Sequence, residues 1–336
     1  MRVLFINSYL CLRFLVQIVM GKIKIVIVGL GGVGGYYGGM LAKKYADNPE
    51  IDVYFVARGA HLKKVQENGL TLITEEGTFQ VYPTLATDNV SEIGTADYII
   101  MTPKSYDLES TVEQIKPIVG PNTVILPLLN GIDNSYRIRT LLPTTEVWQG
   151  CCYIVARLNE PGVVESSGGL HRFNFGYELQ QTDERLLNFE KILKEAGVDA
   201  VYYPNIMHVI WTKFFFISAT ASLTSYFDVS FGALLTDDKR KATLIALLEE
   251  LLLVANAEGA EIKRTVIDNV IHQLEKLPFE TTASMHSDFK AGKNTEVHGL
   301  TGAVVKLANK NGIATPTYEM VYEELMGRMR GRAISD

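Results

Sequence analysis

The sequence predicts an α/β fold, a doubly wound parallel sheet, followed by an all-helical C-terminal domain. Three observations support this prediction. A β-branched strand at residues 23–28 runs directly into a glycine-rich turn. Strands and helices then alternate as far as about residue 204, which is typical of a parallel sheet covered by helices on both faces. After Pro204 the strand pattern disappears and only helical periodicity remains.

Length and composition fit a globular protein of two domains. The chain has 336 residues, which at about 150 residues per domain corresponds to roughly two domains. Hydrophobic residues make up 47% and the net charge is -6, so the chain offers no general attraction for a polyanion and nucleic acid is not an expected partner. The three cysteines are too few for a disulfide framework, which favours a reducing, cytoplasmic setting.

Residues 1–20 are predicted to be an extension outside the folded core. Polar side chains interrupt this apolar stretch at Arg2, Asn7, Arg13 and Gln17, and no small-residue cleavage site follows it. Neither a membrane-spanning helix nor a signal peptide is therefore expected. Because Met20 stands just before the first strand, we predict that it is the true start, and we expect no membrane partner.

The N-terminal domain, residues 21–204, is predicted from successive βαβ units. The predicted elements are a helix at 36–45, strands at 51–57, 98–102 and 123–129, and a helix at 108–118 that ends near Pro121. Residues 147–177 are rich in β-formers and are predicted to add strands to the edge of the same sheet. An amphipathic helix at 183–197 ends at Gly197.

The C-terminal domain, residues 205–330, is predicted to contain four helices. Their apolar positions fall at 206–226, 236–257, 266–274 and 300–308. Pro278 ends the third helix, and Gly312 with Pro316 closes the fourth. No proline-rich or serine-rich linker separates the domains, so we expect them to be joined tightly.

The glycine-rich turn predicts a dinucleotide-binding site of the Rossmann type. Gly29 permits the tight turn, Gly31 allows the backbone to approach a pyrophosphate, and Gly34 allows the helix to pack close to the strand. The free N–H groups at the start of the helix favour an anion. A glycine turn without a ligand is the alternative. The predicted cofactor-binding loop is Gly29, Leu30, Gly31, Gly32, Val33 and Gly34.

Arg58 predicts NADP rather than NAD as the cofactor. An NAD-selective site places Asp or Glu about 20 residues after the glycine turn, to bind the ribose hydroxyls. This chain has Arg58 instead, 24 residues after Gly34. A guanidinium suits a 2′-phosphate through paired, charge-assisted hydrogen bonds. A surface arginine without this role is the alternative.

The chain resembles the ketopantoate reductase (2-dehydropantoate 2-reductase) family over residues 22–325. Several spaced motifs occur in the family's order, which is more specific than the glycine turn alone. These motifs are Ala57-Arg58-Gly59-Ala60-His61-Leu62, Pro103-Lys104, Leu129-Asn130-Gly131, Trp211-Thr212-Lys213, Ser284-Met285 with Asp288, Asn294-Thr295-Glu296 and Gly312-Ile313-Ala314-Thr315-Pro316.

The resemblance implies an oxidoreductase that reduces a 2-oxo acid with NADPH. The family's default substrate is ketopantoate, which is reduced to pantoate for pantothenate and coenzyme A biosynthesis. The resemblance also implies a helical domain of the 6-phosphogluconate dehydrogenase C-terminal-like type, an active site in the interdomain cleft and a homodimer. No metal site is expected, because the six histidines show no paired ligand spacing.

Three residues match the family's catalytic positions. Lys213 lies in an apolar helix, where an ammonium group is costly to bury without a task, and it matches the family's proton donor. A lysine that extends to the surface is the alternative. Glu296 begins the fourth helix, where the helix dipole favours a carboxylate in any case, and it matches the glutamate that binds substrate and assists the lysine.

Asn130 is the third of these residues, and it follows the carboxyl end of a parallel strand, where ligands bind in such sheets. The alternative is that Asn130 serves only as a turn residue before Gly131. Lys104 and Ser284 match family positions that contact cofactor or substrate.

The chain departs from the family pattern after the catalytic lysine. Where the family typically has two asparagines, this sequence has Ile217 and Ala221. We predict that Lys213, Ile217, Thr220 and Ala221 border one pocket, with Thr220 as a partial substitute for the missing amides. Two rivals to the default activity follow, a reductase of another 2-oxo acid and a non-catalytic NADPH-binding sensor. Retention of both Lys213 and Glu296 argues against the sensor.

Overall fold

The computed structural model of the chain describes residues 21–168 and 170–333. The predicted N-terminal extension, residues 1–20, lies outside the described residues. The described strands, in chain order, are β1 (Ile23–Val28), β2 (Ile51–Val56), β3 (Leu70–Thr74), β4 (Gly77–Val81), β5 (Leu85–Thr87), β6 (Ala96–Met101), β7 (Val119–Pro127), β8 (Glu146–Val147), β9 (Gln149–Tyr153), β10 (Ala156–Glu160), β11 (Val163–Ser166), β12 (Arg172–Gly176) and β13 (Asp199–Tyr203).

The described α-helices separate into a first group among the strands and a second group after them. The first group is α1 (Gly32–Tyr45), α2 (Gly59–Asn68), α3 (Leu108–Ile115), α4 (Asn134–Leu141) and α5 (Glu184–Glu195). The second group is α6 (Met207–Phe227), α7 (Phe231–Leu235), α8 (Asp238–Ala257), α9 (Thr265–Lys276), α10 (Ser284–Lys290), α11 (Ala303–Asn311) and α12 (Pro316–Ala333).

The central sheet is six-stranded and parallel, with the order β5-β2-β1-β6-β7-β8. In β1, Ile25 and Ile27 belong to one hydrophobic core while Val26 and Val28 belong to the core on the other face. Burial on both faces explains why residues 25–28 of this strand form a continuous apolar run rather than an alternating one. The predicted fold class, a doubly wound sheet followed by a helical domain, is confirmed.

The prediction that residues 147–177 extend the edge of the central sheet is wrong for most of that segment. Only the two-residue strand β8 joins the sheet, beside β7. The remaining strands form a three-stranded sheet, β13-β12-β9, and a four-stranded sheet, β10-β11-β3-β4. The second of these includes the hairpin β3-β4, which was not among the predicted elements. Its partner β11 is distant in sequence, so local periodicity contains no information about the pairing.

The four-stranded sheet packs against α1, directly after the glycine-rich turn. Gly32, at the start of α1, lies so close to β10 that a Cβ atom there would collide with the carbonyl oxygen of Ala156. A side chain at Gly35 would likewise meet Val164 of β11. These contacts explain the glycines at positions 32 and 35, because this face of α1 can lie against the small sheet only without side chains there.

The helical domain is organised around α6, which is mostly buried and packs against α8, α10 and α12. The prediction of four helices is incomplete, since α7, α10 and α12 are additional. Pro316 closes the connection after α11, as predicted, but it also begins α12 at the first helical position, where proline is well tolerated. Among the described residues, no helix is both long and apolar enough to cross a bilayer.

Candidate active site in the interdomain cleft

A cleft of about 770 Å³ lies between the carboxyl ends of the central strands and the helical domain. The turn after β1 forms one wall, the segments after β6 and β7 form the floor, and α6 and α9 form the opposite wall. The predicted site residues that line it are Gly29, Gly31, Gly32, Val33, Lys104, Asn130, Lys213, Ser284 and Glu296. Residues from both domains therefore share one cavity.

The glycine loop has the geometry that the motif predicts. Gly29 has a φ of +90°, in the region that favours glycine, so the chain can turn sharply after β1. A Cβ atom at Gly34 would collide with the carbonyl oxygen of Gly29, so α1 approaches the turn closely only because position 34 lacks a side chain. Gly31, by contrast, faces open space. The start of α1 is therefore accessible to an anionic ligand.

A smaller cavity of about 430 Å³ continues from the glycine loop towards the end of β2. Arg58 lines it with a side chain that is 88% exposed, and its Nη2 lies 3.4 Å from the Asp107 carboxylate. His61 forms another part of the wall, where its Nδ1 accepts a hydrogen bond of 2.8 Å from the backbone N–H of Gly162. Burial lowers the pKa of His61, although the backbone of Leu30 partly opposes this shift.

Lys213 and Asn130 meet at the bottom of the larger cleft. The ammonium group of Lys213 donates a hydrogen bond of 3.0 Å to Asn130 Oδ1. The Lys213 Nζ also lies 5.7 Å from the centre of the Tyr153 ring, within the range of a favourable cation–π contact. The Lys213 side chain therefore points into the interdomain cleft.

Lys104, the second lysine of the cleft, lies close to two carboxylates. Its Nζ lies 2.9 Å from Asp288 Oδ2 and 3.8 Å from Glu296 Oε2. Glu296 is only 4% exposed, and its Oε1 accepts a hydrogen bond of 3.3 Å from the backbone N–H of Ser105. Burial disfavours the Lys104 ammonium, but the nearby Glu296 and Asp288 carboxylates outweigh this effect and raise its pKa.

The structure does not bring Thr220 or Ala221 to the cleft. Thr220 is buried and its hydroxyl donates to the carbonyl of Phe216, while Ala221 packs in the core of the helical domain. Both residues share a helix face with Lys213, as predicted, but they lie about 10 Å further along the axis at 1.5 Å per residue. Of the residues substituted relative to the family, Ile217 alone lines the cleft.

Sequence reasoning missed several residues that the structure places in the cleft. Gln273 and Leu277 lie on one face at the C-terminal end of α9. They are four residues apart, which is a helical spacing that the sequence already shows. No such spacing pointed to the segment at and after the end of β9, because its strands were predicted to extend the central sheet. Its cleft residues are Tyr153, Ile154, Val155, Ala156 and, further on, Leu170.

The described residues contain no group of three or more His, Cys, Asp or Glu side chains that could hold a metal ion. The polar groups that line the cleft are instead the glycine-rich start of α1, two lysines, two side-chain amides, four hydroxyls and the Glu296 carboxylate, and Asp288 pairs with Lys104 beside it. Such a set can hold a dinucleotide, bind an anion and transfer a proton.

Comparison with known proteins assigns the family. The family model described as "Ketopantoate reductase PanE/ApbA" matches residues 25–179, and the one described as "Ketopantoate reductase PanE/ApbA C terminal" matches residues 205–328. Together these matches span most of the chain and both parts of the cleft.

Individual relatives agree with this assignment over nearly their full length. A crystal structure of 2-dehydropantoate 2-reductase from Porphyromonas gingivalis W83 is 37% identical, with a TM-score of 0.80 over 91% of this chain and 99% of that chain. The "Uncharacterized oxidoreductase YkpB" of Bacillus subtilis is 28% identical over 90% of this chain and 97% of its own length. A 2-dehydropantoate 2-reductase of Mesorhizobium japonicum is 27% identical over 89% and 95%. The chain belongs to the ketopantoate reductase family of oxidoreductases.

Proposed function

We propose that the protein reduces a 2-oxo acid to the 2-hydroxy acid with NADPH, and that Lys213 is the proton donor. The observation that carries this proposal is the Lys213–Asn130 hydrogen bond of 3.0 Å inside a cleft that also contains the glycine loop. Hydride and proton sources would therefore meet in one cavity. The relatives named 2-dehydropantoate 2-reductase make 2-dehydropantoate the first substrate to test.

The residues at the coenzyme end fit a phosphorylated dinucleotide. The open face of Gly31 leaves room for a pyrophosphate at the start of α1. Arg58, exposed at the end of β2, supplies a guanidinium for the 2′-phosphate, and no acidic residue occupies that strand end. NADPH, when bound, supplies the hydride that the carbonyl carbon accepts.

Lys213 completes the reaction by providing the proton. As the carbonyl carbon gains a hydride, its oxygen becomes negative and takes a proton from the Lys213 ammonium, which leaves a neutral amine that regains a proton from solvent. Asn130 holds the ammonium through its side-chain oxygen, so the donor is oriented before the substrate arrives. The Lys104 ammonium and the Ser284 hydroxyl provide groups for the substrate carboxylate.

The assay that tests this function follows NADPH oxidation by the purified full chain with 2-dehydropantoate and other 2-oxo acids. Turnover that depends on both NADPH and the acid supports the proposal. Tight NADPH binding without reduction of any acid would favour the second candidate, a non-catalytic NADPH-binding sensor. The homodimer stays a prediction, which sedimentation of the same preparation tests.

A further inference from the structure

The cleft wall next to the proposed proton donor is apolar. One turn after Lys213 on α6, Phe216 and Ile217 are half-buried and line the cavity, and Leu277 lines it from the end of α9. All three side chains are purely hydrocarbon. A substrate whose carbonyl reaches Lys213 would therefore place its side chain close to this surface.

The hydroxyl groups nearest Lys213 along α6 are already engaged within the protein. Thr212 donates to the carbonyl of His208 at 2.8 Å, and Thr220 donates to the carbonyl of Phe216 at 2.7 Å. Ser218 donates to the carbonyl of Leu300 at 3.1 Å and also contacts the Tyr318 hydroxyl. This part of α6 thus offers a substrate side chain no hydroxyl that is free of a protein partner.

The opposite wall presents exposed hydrocarbon to the same space. Val155 is 66% exposed and Leu170 is 52% exposed, and both line the cleft together with Ile154. Large apolar side chains gain free energy when a ligand covers them, in proportion to the apolar area removed from water. Two apolar walls that face one cavity fit a ligand with an apolar tail better than a hydroxylated one.

We infer that the preferred substrate is a 2-oxo acid whose side chain is apolar and either branched or aromatic. This inference rests on the proposed function and adds the substrate class to it. Gln273 is the polar side chain that opposes it most directly, because it lines the cleft on α9 one turn before Leu277. Gln273 is exposed in the cleft, and its contribution to selectivity is tested separately below.

A matched pair of substrates tests the inference. 2-Dehydropantoate and 3,3-dimethyl-2-oxobutanoate differ only in the terminal hydroxyl, so the ratio of their kcat/KM values measures what the cleft gains or loses from that group. We expect the deoxy acid to exceed 2-dehydropantoate by about 10-fold, since an apolar pocket gives a hydroxyl no partner. A preference of tenfold or more for 2-dehydropantoate would overturn the inference and leave the proposed function intact. Failure to reduce any acid would overturn both.

Variants locate the origin of the preference. Ile217→Asn should shift the ratio towards 2-dehydropantoate by about 10-fold, because it adds an amide within one helical turn of Lys213. Leu253→Asn, on the exposed face of α8, is the control for replacing an aliphatic side chain by asparagine. It should leave the ratio of the two kcat/KM values unchanged. Should the asparagine variant fail to fold, Ile217→Thr keeps the β-branched shape and should shift the ratio in the same direction.

Gln273→Ala tests the competing explanation. We expect it to change the ratio by less than about twofold, because an exposed amide contributes little to selectivity. A selective loss of 2-dehydropantoate reduction in this variant would show that Gln273 recognises the hydroxyl, and would overturn the assignment of an apolar substrate class.

Discussion

Lys213 and Asn130 are 83 positions apart in the sequence, and their hydrogen bond of 3.0 Å joins the two domains at the base of the cleft. The lysine comes from the first long helix of the C-terminal domain, while the asparagine follows the fifth strand of the central sheet. Any change in the angle between the domains would alter this distance. Lys213, the proposed proton donor, is therefore positioned only when the cleft is correctly formed.

The proton-donor role predicts a loss of turnover without a loss of coenzyme binding. Lys213→Ala should reduce kcat by at least about 100-fold, the lower end of the effect of a general acid. NADPH affinity, measured by fluorescence titration, should stay within about threefold. Lys191→Ala, an exposed lysine on α5, is the control and should be fully active. Near-normal turnover of the Lys213 variant would exclude it as the acid.

Coenzyme selection should depend on Arg58. Arg58→Ala should weaken NADPH binding about 10- to 100-fold, roughly 1.5–3 kcal/mol for a charge-assisted contact, and leave NADH affinity nearly unchanged. Titration of both coenzymes against the wild-type and variant proteins measures this difference. Equal losses for the two coenzymes would mean that Arg58 supports the pocket without reading the phosphate.

Glu296 is predicted to act through Lys104 as well as on the substrate. Glu296→Gln keeps an oxygen for the Ser105 N–H but removes the charge that helps to hold the Lys104 ammonium. We expect kcat/KM to fall about tenfold or more while the thermal midpoint changes little, because the backbone contact remains. Glu296→Ala should lose both activity and stability. Normal kcat/KM in the glutamine variant would indicate a purely structural role for the carboxylate.

The contact of His61 with Gly162 predicts a dependence on pH. Burial lowers the pKa of this histidine below 6.5 in the folded protein, so the neutral form is favoured by folding. Its stabilising contribution is present above about pH 6.5 and is lost as the pH falls through the lower folded value. Protonation of Nδ1 would also remove the hydrogen bond from Gly162. Thermal stability should therefore decline in acid.

His61→Gln tests this dependence, since a glutamine oxygen can accept from Gly162 but does not titrate in this range. The variant should show a flatter profile of thermal stability between about pH 5 and 7. If the wild-type and variant proteins lose thermal stability equally as the pH falls, another titrating group causes the loss.

Ala221 and Ile217 should differ in their tolerance of a polar side chain. Ala221 is 3% exposed and packed in the helical core, so Ala221→Asn would bury an amide without a prepared partner and should cost about 1–3 kcal/mol of unfolding free energy. Ile217→Asn leaves its amide at the cleft and should cost less. Denaturant unfolding monitored by circular dichroism compares the two. A smaller loss at Ala221 would contradict their different placement.

Local sequence pattern was enough to predict several parts of the molecule. The strand at Ile23–Val28 and the glycine turn after it were predictable, because a buried parallel strand and a tight turn each require particular neighbouring residues. The long helices followed from apolar periodicity. Lys213 and Asn130 were identified as candidates from their resemblance to family motifs.

Tertiary structure alone decided the pairings between distant segments. Local periodicity could not show that β11 pairs with β3, or that Lys104 meets Asp288, since these partners are 90 or more positions apart. It also could not separate Ile217 from Ala221, which share one helix face. The cleft reaches Ile217, whereas the neighbouring helices cover the next turn and bury Ala221. Which part of a helix face meets a ligand depends on what packs against the helix, and that is a property of the assembled fold.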